Sequence, residues 1–218
     1  MNDNFIAFNE FKGLGNPDAE IWFVGLEEGG AEISETEIDD KVKDCQRFPY
    51  YLTSEEIKPF HTPVWDYISK LVIKYFELKN YSWQEYREVM FSENVSTFFL
   101  TELFPLPKKK FNYWASGYGE IFGLSNNDYE EYVSEVRSKR FPLIYNLWLE
   151  RKPKHTICFG KSGWDYFIEV FGLKDDKCKS ELNSKYYESK KIILTPFFGN
   201  GQMSNELIDN IVLLLKNG

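Results

Sequence analysis

Cysteine and histidine are scarce in this chain of 218 residues, which has three of the first (Cys45, Cys158, Cys178) and two of the second (His61, His155). Three widely spaced thiols cannot build a disulfide framework. Nor can they supply the four ligands of a zinc site or an iron–sulfur cluster. No metal and no cofactor is therefore expected, and the thiols read as reduced cytoplasmic cysteines. Long apolar runs are also missing, since none approaches the ~18 residues that span a bilayer. The opening Met1-Asn2-Asp3-Asn4 is polar and acidic, unlike a secretory signal. The expectation is a cytoplasmic protein with no membrane partner. Positive charge is in deficit, with 26 Lys and Arg against 34 Asp and Glu and a net charge of -8. That balance disfavours tight non-specific binding to nucleic acid, although a local basic patch can override it. Repeats, low-complexity tracts and linkers are absent, so residues 1–218 read as a single domain.

What the chain does have is aromatic mass, 18% of its residues, which points to a bulky core, an aromatic-lined cleft, or both. Four short apolar runs, at 21–26, 95–101, 156–160 and 191–195, are β-branched or aromatic and lack clean alternation. Strands covered on both faces read this way. Helical spacing occupies 63–76, 128–151, 162–171 and 204–216. Thr62 and Pro63 are placed to open the first of these, and Pro142 to kink or split the second. Residues 186–188 suggest a short extra arm, and 174–184 a loop. Strands alternating with helices predict an α/β fold: a three-layer α/β/α sandwich around a central four-stranded parallel sheet.

In such a sheet, ligands bind beyond the carboxyl ends of the strands. The segments there are Gly25-Leu26-Glu27-Glu28-Gly29-Gly30, Thr101-Glu102-Leu103-Phe104-Pro105-Leu106-Pro107 and Thr195-Pro196-Phe197-Phe198-Gly199-Asn200-Gly201. Carboxylates at such a mouth can polarise water or stabilise a cationic sugar, or they can simply cap a following helix. Lys108, Lys109 and Lys110 ahead of Phe111, Tyr113 and Trp114 form the one basic run beside aromatics. Such a run suits phosphates and stacked bases, or a solvated turn. Gly199 and Gly201 before Ser204 suit a phosphate at the last helix, or an ordinary tight turn. His61 stands beside a helix start and reads as structural. His155 lies at the far end of its strand from the cleft.

Taken in order, four segments resemble the motifs of the uracil-DNA glycosylase superfamily. They are Gly25-Leu26-Glu27-Glu28-Gly29, Thr101-Glu102-Leu103-Phe104-Pro105, Pro153-Lys154-His155-Thr156-Ile157-Cys158-Phe159-Gly160-Lys161 and Thr195-Pro196-Phe197. The likeness spans roughly residues 20–216 and implies a uracil-DNA glycosylase-like fold and cleft. It implies a hydrolase acting on an N-glycosidic bond, as in base excision repair, on flipped-base or single-stranded DNA or on a nucleotide. Glu27, Glu28 and Thr195 would then hold the catalytic positions. Glu102, Phe104 and Phe197 would hold the base. Gly29, Gly30, Lys108, Lys109, Lys110, Gly199, Gly201 and Ser204 would meet the nucleic-acid backbone.

The chain departs from the family in its chemistry. Glu27 and Glu102 stand where the family has Asp or Asn and Asn, and Thr195 where it has His or Asn. An ionised Glu102 offers acceptors only, so it suits the N–H groups of an amino-bearing base and opposes O4 of uracil. Weak or absent excision of uracil is expected. The other readings are a domain of the same fold that has lost catalysis and holds a base, nucleotide or protein, and a nucleoside-processing enzyme with a Glu nucleophile.

Overall fold

The computed structural model describes residues 1–29, 33–34, 36–59, 62–109, 113–124, 129–199 and 201–217, with only the backbone of Glu28 and Gly29. The chain runs α1 (Asp3–Glu10), β1 (Leu14–Gly15), β2 (Ile21–Gly29), α2 (Ile38–Cys45), α3 (Ser54–Ile57), α4 (Pro63–Phe76), α5 (Trp83–Arg87) and β3 (Phe98–Lys108). It continues through α6 (Tyr118–Phe122), α7 (Tyr129–Arg151), β4 (His155–Phe159), α8 (Trp164–Val170), β5 (Lys179–Glu181), β6 (Ser184–Tyr187), β7 (Ile192–Thr195) and α9 (Asn205–Asn217).

The α/β class expected from the sequence is present, but the sheet is larger than expected and mixed. Seven strands run in the order β1-β3-β2-β4-β7-β6-β5. Adjacent β3, β2, β4 and β7 are mutually parallel. Antiparallel β1 is added at one edge, and the β6–β5 hairpin at the other. These additions were hard to read because they are short and, in β5, wholly exposed. The segment read as a loop at 174–184 contains β5, and the arm expected at 186–188 is β6.

Side-chain alternation explains why the inner strands look uniformly apolar. Ile21, Phe23, Ile157, Phe159 and Ile193 point to the face carrying α4 and α9. Val24, Leu26, Cys158, Ile192 and Leu194 point to the face carrying α1, α7 and α8. Both faces are buried, so both registers are mainly apolar, with Thr101, Thr156 and Thr195 among the buried polar exceptions. Each fully buried Ile or Phe contributes about 1.5–3 kcal/mol. Pro142 does not split the second expected helix: α7 runs through it as one element.

Two strands outrun their sequence signals. Strand β3 continues to Lys108 through Pro105 and Pro107, which lack the N–H a ladder needs. Tyrosine hydroxyls take over there. Leu106 N donates to Tyr132 Oη at 3.2 Å, and Tyr118 Oη donates to the Pro107 carbonyl at 2.5 Å. Across the same stretch, the step from Glu27 to Gly29 on β2 faces the longer step from Phe104 to Lys108 on β3, an irregular register.

Candidate functional site

The parallel strands align one level of residues across the sheet. Glu102 on β3 is opposite Gly25 on β2, Gly25 is opposite Phe159 on β4, and Phe159 is opposite Thr195 on β7. With neighbouring strands ~4.8 Å apart, the Glu102 and Thr195 backbones lie about 14 Å apart at the carboxyl side of the sheet. Gly25 makes this level possible. A Cβ there would lie 1.8 Å from Glu102 Oε2, so the Glu102 carboxylate lies directly over the glycine.

Glu27, two residues further on, is not an open carboxylate. Its Oε2 lies 2.9 Å from Lys108 Nζ, and the two side chains are 10% and 0% exposed. Lys108 was expected on the surface with Lys109 and Lys110. Because β3 extends to this residue, its side chain turns inward instead. The ammonium also sits 4.6 Å from the ring centre of Tyr129 and 5.4 Å from that of Tyr132. Burial raises the Glu27 pKa against the opposing pull of Lys108. Burial lowers the Lys108 pKa against the opposing pull of Glu27. Both shifts have the same origin: the charged forms have left water.

The remaining expected residues fall into three groups. Thr195 is fully buried, with its Oγ1 3.5 Å from Ser184 Oγ on β6. Phe104 is also fully buried. Its ring packs against Tyr132, Phe141 and Tyr166, so it serves the core rather than a stacked base. Phe197, Gly201 and Ser204 lie nearer the surface. Phe197 is half-buried, Gly201 is in the left-handed region with φ +71°, and Gly199 is packed against Phe197 and Pro63. Ser204 Oγ accepts from Leu207 N at 3.1 Å, which caps α9. Lys109 is exposed, 5.8 Å from the Tyr113 ring centre. Gly29 ends β2 opposite Lys108. The side chain of Glu28, and Gly30, Lys110 and His61, lie outside the described residues.

Three contributors escaped sequence reading. Gly25 is one, because its role depends on the strand opposite. Arg140 on α7 is the second. Fully buried, it donates to the Glu102 carbonyl through Nε (2.9 Å) and Nη2 (2.7 Å), and to the carbonyls of Phe8, Asn9 and Phe11 through Nη1. It ties α1 and the Glu102 backbone to one helix. Trp164 is the third. Its Nε1 donates to the Thr195 carbonyl at 3.3 Å, which fixes the indole beside the end of β7. A helix-opening Trp after Gly160-Lys161-Ser162-Gly163 was the available signal. A shallow depression of about 710 Å³ lies over α7, lined by Tyr129, Val133, Arg137 and Tyr166. It touches this site only through Tyr129.

Among the described residues, no cluster of three or more His, Cys, Asp or Glu is placed to hold a metal ion. No helix among them is long and apolar enough to cross a membrane. A scan against protein-family models finds no match for the chain, and a search of curated proteins finds none either.

Proposed function

We propose that this is a divergent uracil-DNA glycosylase-like domain that holds a nucleobase, free or in DNA, at the carboxyl ends of its four parallel strands. The observation that carries the reading is the aligned level Glu102–Gly25–Phe159–Thr195, with the Glu102 carboxylate seated over Gly25 at the carboxyl side of the sheet. The ordered motifs of the sequence support the same fold and cleft. A carboxylate at the base-reading position selects donors, so the favoured ligand is an amino-bearing base rather than uracil.

Binding is favoured over hydrolysis by two engaged groups. Glu27, the residue for activating water, is ion-paired to Lys108, and Thr195 is fully buried against Ser184. Removing one donor to a developing anion typically costs about 10²–10³-fold in rate. Hydrolysis is the second reading, favoured by Glu27 itself, a carboxylate of raised pKa near the carboxyl end of the first parallel strand.

The test is titration with guanosine, adenosine and uridine monophosphates, alongside a release assay on oligonucleotides carrying uracil, hypoxanthine, xanthine or a mismatched base. Tighter binding of the amino-bearing nucleotides, weakened in Glu102→Gln, supports the base site. Base release by the natural protein but not by a folded Glu27→Gln supports the hydrolase. Uracil release at the rate of an ordinary uracil glycosylase would overturn the assignments of Glu102 and Thr195.

A further inference from the structure

Lys161, Trp164 and Lys185 form a group that the basic run of the sequence did not foreshadow. Lys161 Nζ stands 5.5 Å, and Lys185 Nζ 5.2 Å, from the ring centre of Trp164. Lys161 is exposed, and the other two are half-buried. The three residues come from different places: the 3-10 turn Lys161–Gly163, the start of α8 and the start of β6. β6 runs antiparallel to β7, with Lys185 opposite Leu194, so Lys185 arrives at the carboxyl end of β7.

The group is fixed in place. Gly160, with φ +114°, makes a turn that disfavours other residues, and its N–H donates to the Thr195 carbonyl at 3.0 Å. A Cβ on Gly163 would lie 2.4 Å from Leu26 Cδ1, so the start of α8 packs closely against Leu26 of β2 at this glycine. Trp164 Nε1 donates to the same Thr195 carbonyl, which locks the indole next to the strand end.

Trp164 has a lysine from each of two separate segments against its ring. Lys43, Lys74, Lys179 and Lys216 each sit on a carboxylate, as expected in a chain of net charge -8. Among the described residues, neither Lys161 nor Lys185 makes a salt bridge, although Lys12 over Phe48 and Lys70 over Tyr67 and Trp83 likewise make none. Two cations held off carboxylates and gathered at one aromatic ring match a ligand with negative charges spaced around flat groups. From this we infer that Lys161, Trp164 and Lys185 bind single-stranded nucleic acid beside the base site, the lysines on phosphates and the indole against a neighbouring base. The inference rests on the base-site reading for the nature of the partner.

The experiment is anisotropy of a labelled oligothymidylate with the full chain, across a salt series starting at about 50 mM. Lys161→Ala/Lys185→Ala is compared with Lys43→Ala/Lys179→Ala, which changes net charge equally. The first pair is expected to weaken binding about tenfold and flatten the salt slope by about 1.4, two phosphate contacts at about 0.7 each. The second pair is expected to change affinity less than about twofold. Trp164→Phe should weaken binding less than Trp164→Ala, because a smaller ring still stacks. Equal losses in both lysine pairs, or no binding at the lowest salt, would overturn the inference. Loss in the first pair with mononucleotide binding indifferent to Glu102→Gln would uphold this strand site while ending the base-site reading. The reverse pattern would end only this one.

Discussion

Lys108 Nζ lies 2.9 Å from Glu27 Oε2 in a place where the lysine is fully buried. Two neighbouring strands of irregular register bring the pair together, and Tyr129 and Tyr132 enclose the cation. Attraction and desolvation oppose each other here, and the sign of each single change follows from that balance.

Breaking the pair from one side leaves a buried charge without its counter-ion. Lys108→Met or Glu27→Leu alone is expected to destabilise by about 3–5 kcal/mol. The double variant is expected near or above natural stability. Burial shifts the two groups in opposite directions, upward for Glu27 and downward for Lys108, each opposed by its partner. Denaturant unfolding of the two single variants and the double supplies the cycle. A double variant as unstable as the sum of the singles would refute this account.

Arg140 presents a different case, with one guanidinium on the carbonyls of four residues. Burial pulls its pKa down to about 10, so it stays charged at neutral pH. Arg140→Met orphans those four carbonyls and is expected to cost about 4 kcal/mol or more, from about 1–3 kcal/mol per orphaned buried group. Lys at this position should recover only part, since it lacks the planar fork. Thermal unfolding of both variants reads the difference.

The stability of the fold should fall in mild acid through His155. Its ring is buried, edge-on to Tyr75 at 6.0 Å, and neither ring nitrogen has a hydrogen-bond partner. Burial first, then Lys154 and Lys191, lowers its pKa to about 4. The unfolded chain takes up a proton near pH ~6.5, well before the folded one. Stability is therefore full above about pH 6.5 and lost as pH falls toward 4, by about 2–3 kcal/mol. His155→Phe keeps the contact with Tyr75 and should lose less stability than the natural chain over that window. Parallel pH profiles of unfolding for the two proteins would expose an error.

Gly25→Ala tests the seat of Glu102. The new methyl would meet the far end of a flexible side chain, so the carboxylate can move aside. The expected stability cost is small, about 1 kcal/mol or less. Nucleotide binding should fall as it does in Glu102→Ala, and the two changes combined should lose no more than either alone. Undiminished binding in Gly25→Ala would separate the carboxylate from the ligand.

By itself, the sequence determined the inner strands and the longer helices. Residues 21–26 and 156–160 are apolar on both registers because both faces of a covered sheet are buried, and that pattern is local. The helix at 63–76 was read to the residue, as α4, because its apolar spacing and Pro63 start are local too. The carboxyl edge was also readable as the place where chemistry-bearing residues gather, since parallel strands share a direction.

Only the tertiary structure decided which of those residues are exposed and which are buried against one another. Lys108 and Lys109 are adjacent in sequence, yet one is buried on Glu27 and the other is exposed. The difference comes from a strand that continues past two prolines because Tyr118 and Tyr132, distant in sequence, supply its hydrogen bonds. The gathering of Lys161 and Lys185 at Trp164 likewise depends on a hairpin returning antiparallel to β7. Side-chain pairings across strands carry no local periodicity, so they became visible only once the strands were placed side by side.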